Sequence, residues 1–140
     1  MSYLLDSNVL SELRKGVRAN ARVRGWMAGV EPHELFISVL TLGEIRRGIE
    51  SVRTRDEVTA LALDRWIYGL TTWYQTRILS IDARVAEEWG RMNVVKTLPA
   101  VDSLLAATAR VHNLTVVTRN LRDIGRTGVP CLDPFKAREE

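Results

Sequence analysis

Four carboxylates stand at chemically suggestive places in this chain: Asp6, Glu44, Asp102 and Asp123. Asp6 closes a short apolar run, Tyr3-Leu4-Leu5. Glu44 lies in a helical stretch just after a second apolar run, Leu35-Phe36-Ile37-Ser38. Asp102 begins the helix leading into a later run, Leu114-Thr115-Val116-Val117-Thr118, and Asp123 lies just beyond Thr118 and Asn120 at the end of that run. Four acids in one pocket would repel one another strongly, so cations must be present or some acids must be protonated. A site without cysteine or histidine suits hard divalent ions with oxygen ligands, Mg²⁺ or Mn²⁺. Taken singly, each acid has a local explanation. Asp6 can cap the helix after it, Glu44 can form a capping box with Thr41, Asp102 suits a helix dipole, and Asp123 can close an Asx turn. Caps need not share one edge of a sheet, so the combination favours a site.

The elements that must position these acids follow from periodicity and breakers. Tyr3–Leu5 suits a central strand buried on both faces, and Ser7 is available to cap a helix running to Arg14 and ended by Gly16. A basic helix is expected over 18–29, a strand over 35–38 and a helix from Val39 to about Ser51. Thr54-Arg55-Asp56-Glu57 reads as a capping box opening a long helix to about Thr76, with Leu63, Trp66, Ile67, Leu70, Trp73 and Tyr74 on one side. A third strand is read at 78–81 and a helix from Asp82. Val101–His112 is a helix closed by Asn113, which tolerates the left-handed conformation. The β-branched run 114–118 is a strand, 119–129 a polar loop, Cys131-Leu132 a last edge strand and 136–140 a charged tail. Alternation of this kind predicts one α/β domain over residues 1–140, with a mostly parallel sheet of four to five strands flanked by helices. Parallel strands deliver their carboxyl ends to one edge, where ligands bind.

Composition narrows the field. The chain has 140 residues, 46% hydrophobic and 26% charged, as in an ordinary globular domain. Cys131 is the only cysteine, which excludes an intrachain disulfide and suits a reducing, cytoplasmic setting. The amino terminus lacks a basic flank and its apolar run breaks at Asp6, unlike a secretory signal. No apolar stretch approaches the roughly 20 residues of a membrane span. His33 and His112 lack metal-ligand spacing.

Four segments together resemble the PIN-domain nucleases: Asp6-Ser7-Asn8-Val9-Leu10-Ser11-Glu12, Ser38-Val39-Leu40-Thr41-Leu42-Gly43-Glu44-Ile45-Arg46-Arg47-Gly48, Pro99-Ala100-Val101-Asp102-Ser103-Leu104-Leu105-Ala106-Ala107-Thr108-Ala109 and Val117-Thr118-Arg119-Asn120-Leu121-Arg122-Asp123. They occur in the family's order along the whole chain, with the closest likeness to VapC-type and FitB-like toxins of toxin–antitoxin modules. The resemblance implies a PIN-like fold and an acidic metal site of Asp6, Glu44, Asp102 and Asp123, with Asn8, Thr118 and Asn120 as supporting polar groups. It further implies RNA as substrate, a homodimer, and a cognate antitoxin covering the acidic pocket. Ser7 stands where threonine is frequent, and Ile124 where an aromatic residue is frequent.

A phosphodiester resists attack, so such a site must neutralise phosphoryl oxygens and supply a nucleophile, which one or two divalent ions would do. Asp6 and Asp102 are the expected direct ligands. Water attack with a 3′-oxygen leaving group would give a 5′-phosphate, a chemistry open to DNA as well. The formal charge is +3; setting the four acids aside leaves 13 acidic against 20 basic residues, a remainder of +7. Arg119, Arg122 and Arg126 surround the fourth acid as candidate phosphate contacts, and Arg14, Lys15, Arg18, Arg22 and Arg24 form a second cluster. A receiver-type phosphoacceptor domain fits less well. It would want an acid pair after the first strand and a lysine after the last main one, where this chain has Asp6-Ser7 and Thr118-Arg119.

Overall fold

The computed structural model describes residues 1–92 and 98–136. Its strands are β1 (Tyr3–Leu5), β2 (Leu35–Ser38), β3 (Ile78–Leu79), β4 (Thr115–Val117) and β5 (Cys131–Leu132). They form a five-stranded sheet in the order β3-β2-β1-β4-β5, every pairing parallel. β1 is therefore central, and its apolar composition follows from burial on both sides: Leu4 and Leu5 are fully buried but point to opposite faces.

Leu5 and Val117 join a core with residues of α1 (Ser7–Leu13), α2 (Ala21–Ala28), α3 (Val39–Arg53) and α4 (Glu57–Tyr74), among them Val9, Val23, Ile45, Ile49 and Ile67. Leu4 and Val116 join a second core with Leu105, Ala106 and Ala109 of α6 (Ala100–His112) and Ile124 of α7 (Leu121–Gly125). The helix α5 (Ala83–Met92) packs along α6.

Several local expectations are revised. Asp6, not Ser7, caps α1, accepting the Ser7 N–H at 2.8 Å. That helix ends at Leu13, and Gly16 (φ 61°) opens a separate 3-10 turn. The second helix begins at Ala21 because the Asn20 side chain accepts from the N–H groups of Arg22 and Val23. The Thr54–Glu57 capping box is not formed: α3 runs on to Arg53, and Asp56 caps α4 through the Thr59 N–H at 3.1 Å. The third strand is confined to Ile78–Leu79. Residues 121–125 of the expected loop are helical, since Ile124 has an apolar pocket to fill and is fully buried. Asn113 does close α6 in the left-handed conformation (φ 56°). The charged tail beyond Lys136 lies outside the described residues.

One long side chain ties the helical layer to the strand that leads into Glu44's helix. Arg77 donates to the carbonyl oxygens of Pro32 and Leu35, both at 2.7 Å, and to that of Trp73 at 3.1 Å, while its guanidinium lies over the Trp73 and Tyr74 rings. Replacing Arg77 by methionine keeps most of the stem but leaves those carbonyls short of donors. Urea unfolding of the Arg77→Met chain should show a loss of about 1–3 kcal/mol; unchanged stability would mean that water satisfies these groups equally well.

Candidate active site

Parallel pairing carries the end of β1 beside the end of β4: the Asp6 N–H donates to the Val117 carbonyl at 2.9 Å, which places Asp6 next to Thr118. Both side chains are buried. The Thr118 hydroxyl donates to Asp6 Oδ2 at 2.8 Å, and the Asn8 amide donates to the same oxygen at 3.3 Å. Asn8 also accepts the Arg119 N–H at 3.1 Å, and Thr118 Oγ1 accepts the Asn120 N–H at 3.0 Å. Asp6 thus caps α1 with one oxygen while neutral donors fix the other, and the two roles coexist.

The next two acids are joined by Asn120. Its side-chain amide leaves the start of α7 uncapped and instead donates to Asp102 Oδ2 at 3.3 Å and Asp123 Oδ2 at 3.2 Å. Asp102 sits half-buried in the first turn of α6, whose cap position is Pro99 with no side-chain bond. That turn is held from α5 by a bond that sequence reading misses. Trp89 Nε1 donates to the buried Ser103 hydroxyl at 2.9 Å, and Ser103 donates to the Ala100 carbonyl at 3.1 Å.

Glu44 comes from the second turn of α3. Its capping box with Thr41 is absent, because Ser38 caps the helix through the Leu40 N–H at 3.1 Å and Thr41 is fully buried without a hydrogen-bond partner. Among the described residues, the Ser7 hydroxyl at 3.5 Å is the one side-chain hydrogen-bond partner of the Glu44 carboxylate.

The acids feel one another. Partial burial, then the charges of Asp6 and Asp102, push the Glu44 carboxyl above its ordinary range, even though Glu44 keeps a solvent-exposed side. Burial, then Asp6 and Asp123, push Asp102 up in the same way. Among the described residues none of the four acids has an ion-pair partner, whereas Glu12, Glu50, Asp64 and Glu88 all pair with lysine or arginine. The same residues contain no trio of Asp, Glu, His or Cys already closed to coordination distance. The donor set, all hard oxygen, fits Mg²⁺ or Mn²⁺. Asp6, Glu44, Asp102 and Asp123 are the residues that would hold such an ion.

The candidate phosphate contacts are less uniform. Arg119, Arg122 and Arg126 are all exposed, but Arg126 precedes Thr127, whose carbonyl accepts from Arg110 in the last turn of α6, so it lies toward the end of that helix opposite Asp102. Only Arg119 is held in place, its guanidinium 4.2 Å from the centre of the Phe135 ring. Phe135 is a second residue that sequence reading misses, although Asp133-Pro134-Phe135 carries the signature of an Asx turn. In the other basic cluster, Arg14 lies over Trp66 and Lys15 pairs with Glu12.

Comparison with known proteins gives concordant results. The sequence model of the PIN domain matches residues 3–129. Toxin FitB of Neisseria gonorrhoeae is 28% identical over 137 residues, covering 94% of this chain and 97% of that protein. VapC ribonuclease Y4jK of Sinorhizobium fredii is 25% identical, covering 95% and 97%. Among solved structures, FitAB bound to an IR36 DNA fragment superposes with a TM-score of 0.86 at 26% identity and 98% coverage of both chains.

The crowding of the acids has a thermodynamic sign. A carboxyl whose pKa is raised by folding binds its proton more tightly in the native state, so stability is lost as pH rises from the ordinary carboxylate range through the raised value. In chelator at pH 7, Glu44→Gln should therefore melt above the parent, the difference shrinking as pH falls toward about 4. Added Mg²⁺ should stabilise the parent more than the variant. A variant less stable than the parent at pH 7 would show that Glu44 is not under electrostatic strain.

Proposed function

Because this chain belongs to the PIN domain family, we propose that it is a divalent-cation-dependent endoribonuclease acting as the toxin of a toxin–antitoxin pair. The observation that supports this reading best is the gathering of Asp6, Glu44, Asp102 and Asp123, from four separate stretches, at the carboxyl edge of the sheet without any cationic side chain among the described residues to offset them. RNA as the substrate and toxicity as the outcome are supported by the names of the relatives, VapC ribonuclease Y4jK and toxin FitB.

Bound Mg²⁺, with Mn²⁺ as a substitute, would supply the positive charge that offsets the phosphodiester and activates an attacking water. The chain's own part is to hold the carboxylates ready. Thr118 and Asn8 fix Asp6 Oδ2, Asn120 holds Asp102 and Asp123 in one frame, and the Ser7 hydroxyl stands by Glu44. Asp6 and Asp102 are the direct ligands in this account, and Glu44 and Asp123 complete the anionic ring. Arg119 and Arg122 hold substrate phosphates outside it. Attack in line with a departing 3′-oxygen leaves a 5′-phosphate and a 3′-hydroxyl.

A cognate antitoxin and a second copy of the chain are the expected partners. An apolar surface suits them: Trp73, Tyr68 and Leu61 are exposed on α4, and a cleft of about 380 Å³ lies between Leu10 and Leu13 of α1 and Trp66 and Leu70 of α4. No helix among the described residues is long and apolar enough to cross a membrane.

Incubation of the purified chain with structured RNA, single-stranded DNA and duplex DNA should show cleavage of RNA, lost in chelator and restored by Mg²⁺ or Mn²⁺. Asp6→Asn and Asp102→Asn should each lower the rate more than about 100-fold, and Thr118→Val, which removes a support of Asp6, by about 10- to 100-fold. Cleavage of DNA alone would make the chain a DNA nuclease on this scaffold. Growth inhibition undiminished by Asp6→Asn would make it a binding module that has kept the acids without the chemistry.

A further inference from the structure

The four acids that serve a scissile phosphate must repel the phosphates on either side of it, so a nucleic-acid strand entering the pocket needs a cationic lane beside it. One such lane leads away from Asp6. Asn8 binds the Arg119 backbone, the Arg119 guanidinium lies on Phe135, and Phe135 belongs to the turn after β5, where Asp133 Oδ1 accepts the Phe135 N–H at 2.9 Å. That turn forms one wall of a groove of about 450 Å³ whose other wall is α2. Gly25 of α2 and Gly29 just past its end carry no side chain into the groove, Tyr3, Trp26, Val30 and Pro134 supply apolar surface, and Arg22 and Lys136 are exposed at the rim. Asp133, the one acid in the lining, is buried with a carboxylate oxygen engaged by Phe135, so it does not face the rim cations as a partner.

Resting on the nuclease reading, we propose that this groove binds the single-stranded RNA next to the cleaved bond. Arg119, Lys136 and Arg22 hold successive phosphates, and a base lies over Gly25 against the Tyr3 and Trp26 surface. Charge and shape favour this occupant over a peptide. The rim is cationic, Arg119 links the turn that walls it to Asn8 beside the acid pocket, and Tyr3 and Trp26 offer aromatic surface to a base.

The test uses the full-length chain carrying Asp6→Asn, in chelator, with a fluorescently labelled 12-nucleotide single-stranded RNA followed by anisotropy. Gly25→Leu fills the groove, and it should fold at least as well as the parent, since an added Cβ at Gly25 meets nothing within 4 Å and leucine favours helix over glycine. It should weaken RNA binding about tenfold or more. A second variant, Arg22→Gln with Lys136→Gln, alters only exposed side chains; it should weaken binding and reduce the slope of log affinity against log salt by about 1.4. Circular dichroism melts confirm that both remain folded. Affinity within twofold of the parent for both variants, or no RNA binding by the parent, overturns the proposal. RNA affinity unchanged while association with the cognate antitoxin weakens would assign the groove to that protein instead. If RNA binds through the groove but the unsubstituted chain cuts nothing, the nuclease reading fails and the groove stands; if RNA is cut while both variants bind as the parent does, the groove alone falls.

Discussion

Electrostatic repulsion among four carboxylates is the constraint on which this structure turns. Burial first, and then the charges of the neighbouring acids, raise the Glu44 and Asp102 carboxyl affinities for protons, so the fold holds these groups against both desolvation and repulsion. The fold supplies the opposing force in two ways. Burial of β1 and β4 on both faces fixes the backbone from which Asp6 and Thr118 emerge. Neutral donors then hold the carboxylates without cancelling their charge. A lysine or arginine would relieve the repulsion but would also occupy the pocket. Thr118, Asn8 and Asn120 orient the acids and leave their charge available.

The same logic separates two uses of charge in the molecule. Away from the sheet edge, several acids pair with arginine or lysine, as where Asp64 binds both Arg46 and Arg53 at 2.7 Å and clamps α4 to α3. Those exposed pairs contribute little individually to stability, yet they keep the surface acids occupied. At the edge, the four acids have no ion-pair partner among the described residues, and Arg119 beside them is braced on Phe135. A polyanion would meet cations at the rim and anions only at the centre, where a divalent ion can reconcile the two.

Much of this was legible in the residues, for identifiable reasons. Strands buried on both faces read as unbroken apolar runs, so β1, β2 and β4 are legible to within a residue or so, and with them the position of Asp6 at the end of β1. Asn120 and Thr118 could be named as polar support but not given their partners, because bonds such as that from Thr118 to Asp6 span 112 positions and leave no local pattern. Caps were harder. Each serine, threonine or aspartate near a helix start is a candidate, and Asp6, Asp56 and Ser38 were chosen over Ser7, Thr54 and Thr41 by where the preceding chain enters the helix. The short helix α7 escaped notice because one buried side chain, Ile124, carries it. The anchoring of Asp102's turn by Trp89 and Ser103, and of Arg119 by Phe135, depends on contacts between elements that no spacing encodes.

Whether the acids share a cation can be seen directly by anomalous diffraction from crystals of this chain grown with Mn²⁺. The account predicts an anomalous peak in contact with carboxylate oxygens of both Asp6 and Asp102, at about 2.0–2.2 Å for a hard divalent ion, with Asn120 still bridging Asp102 and Asp123. A peak elsewhere on the surface, or Asp6 and Asp102 too far apart to touch one ion at saturating Mn²⁺, would contradict it.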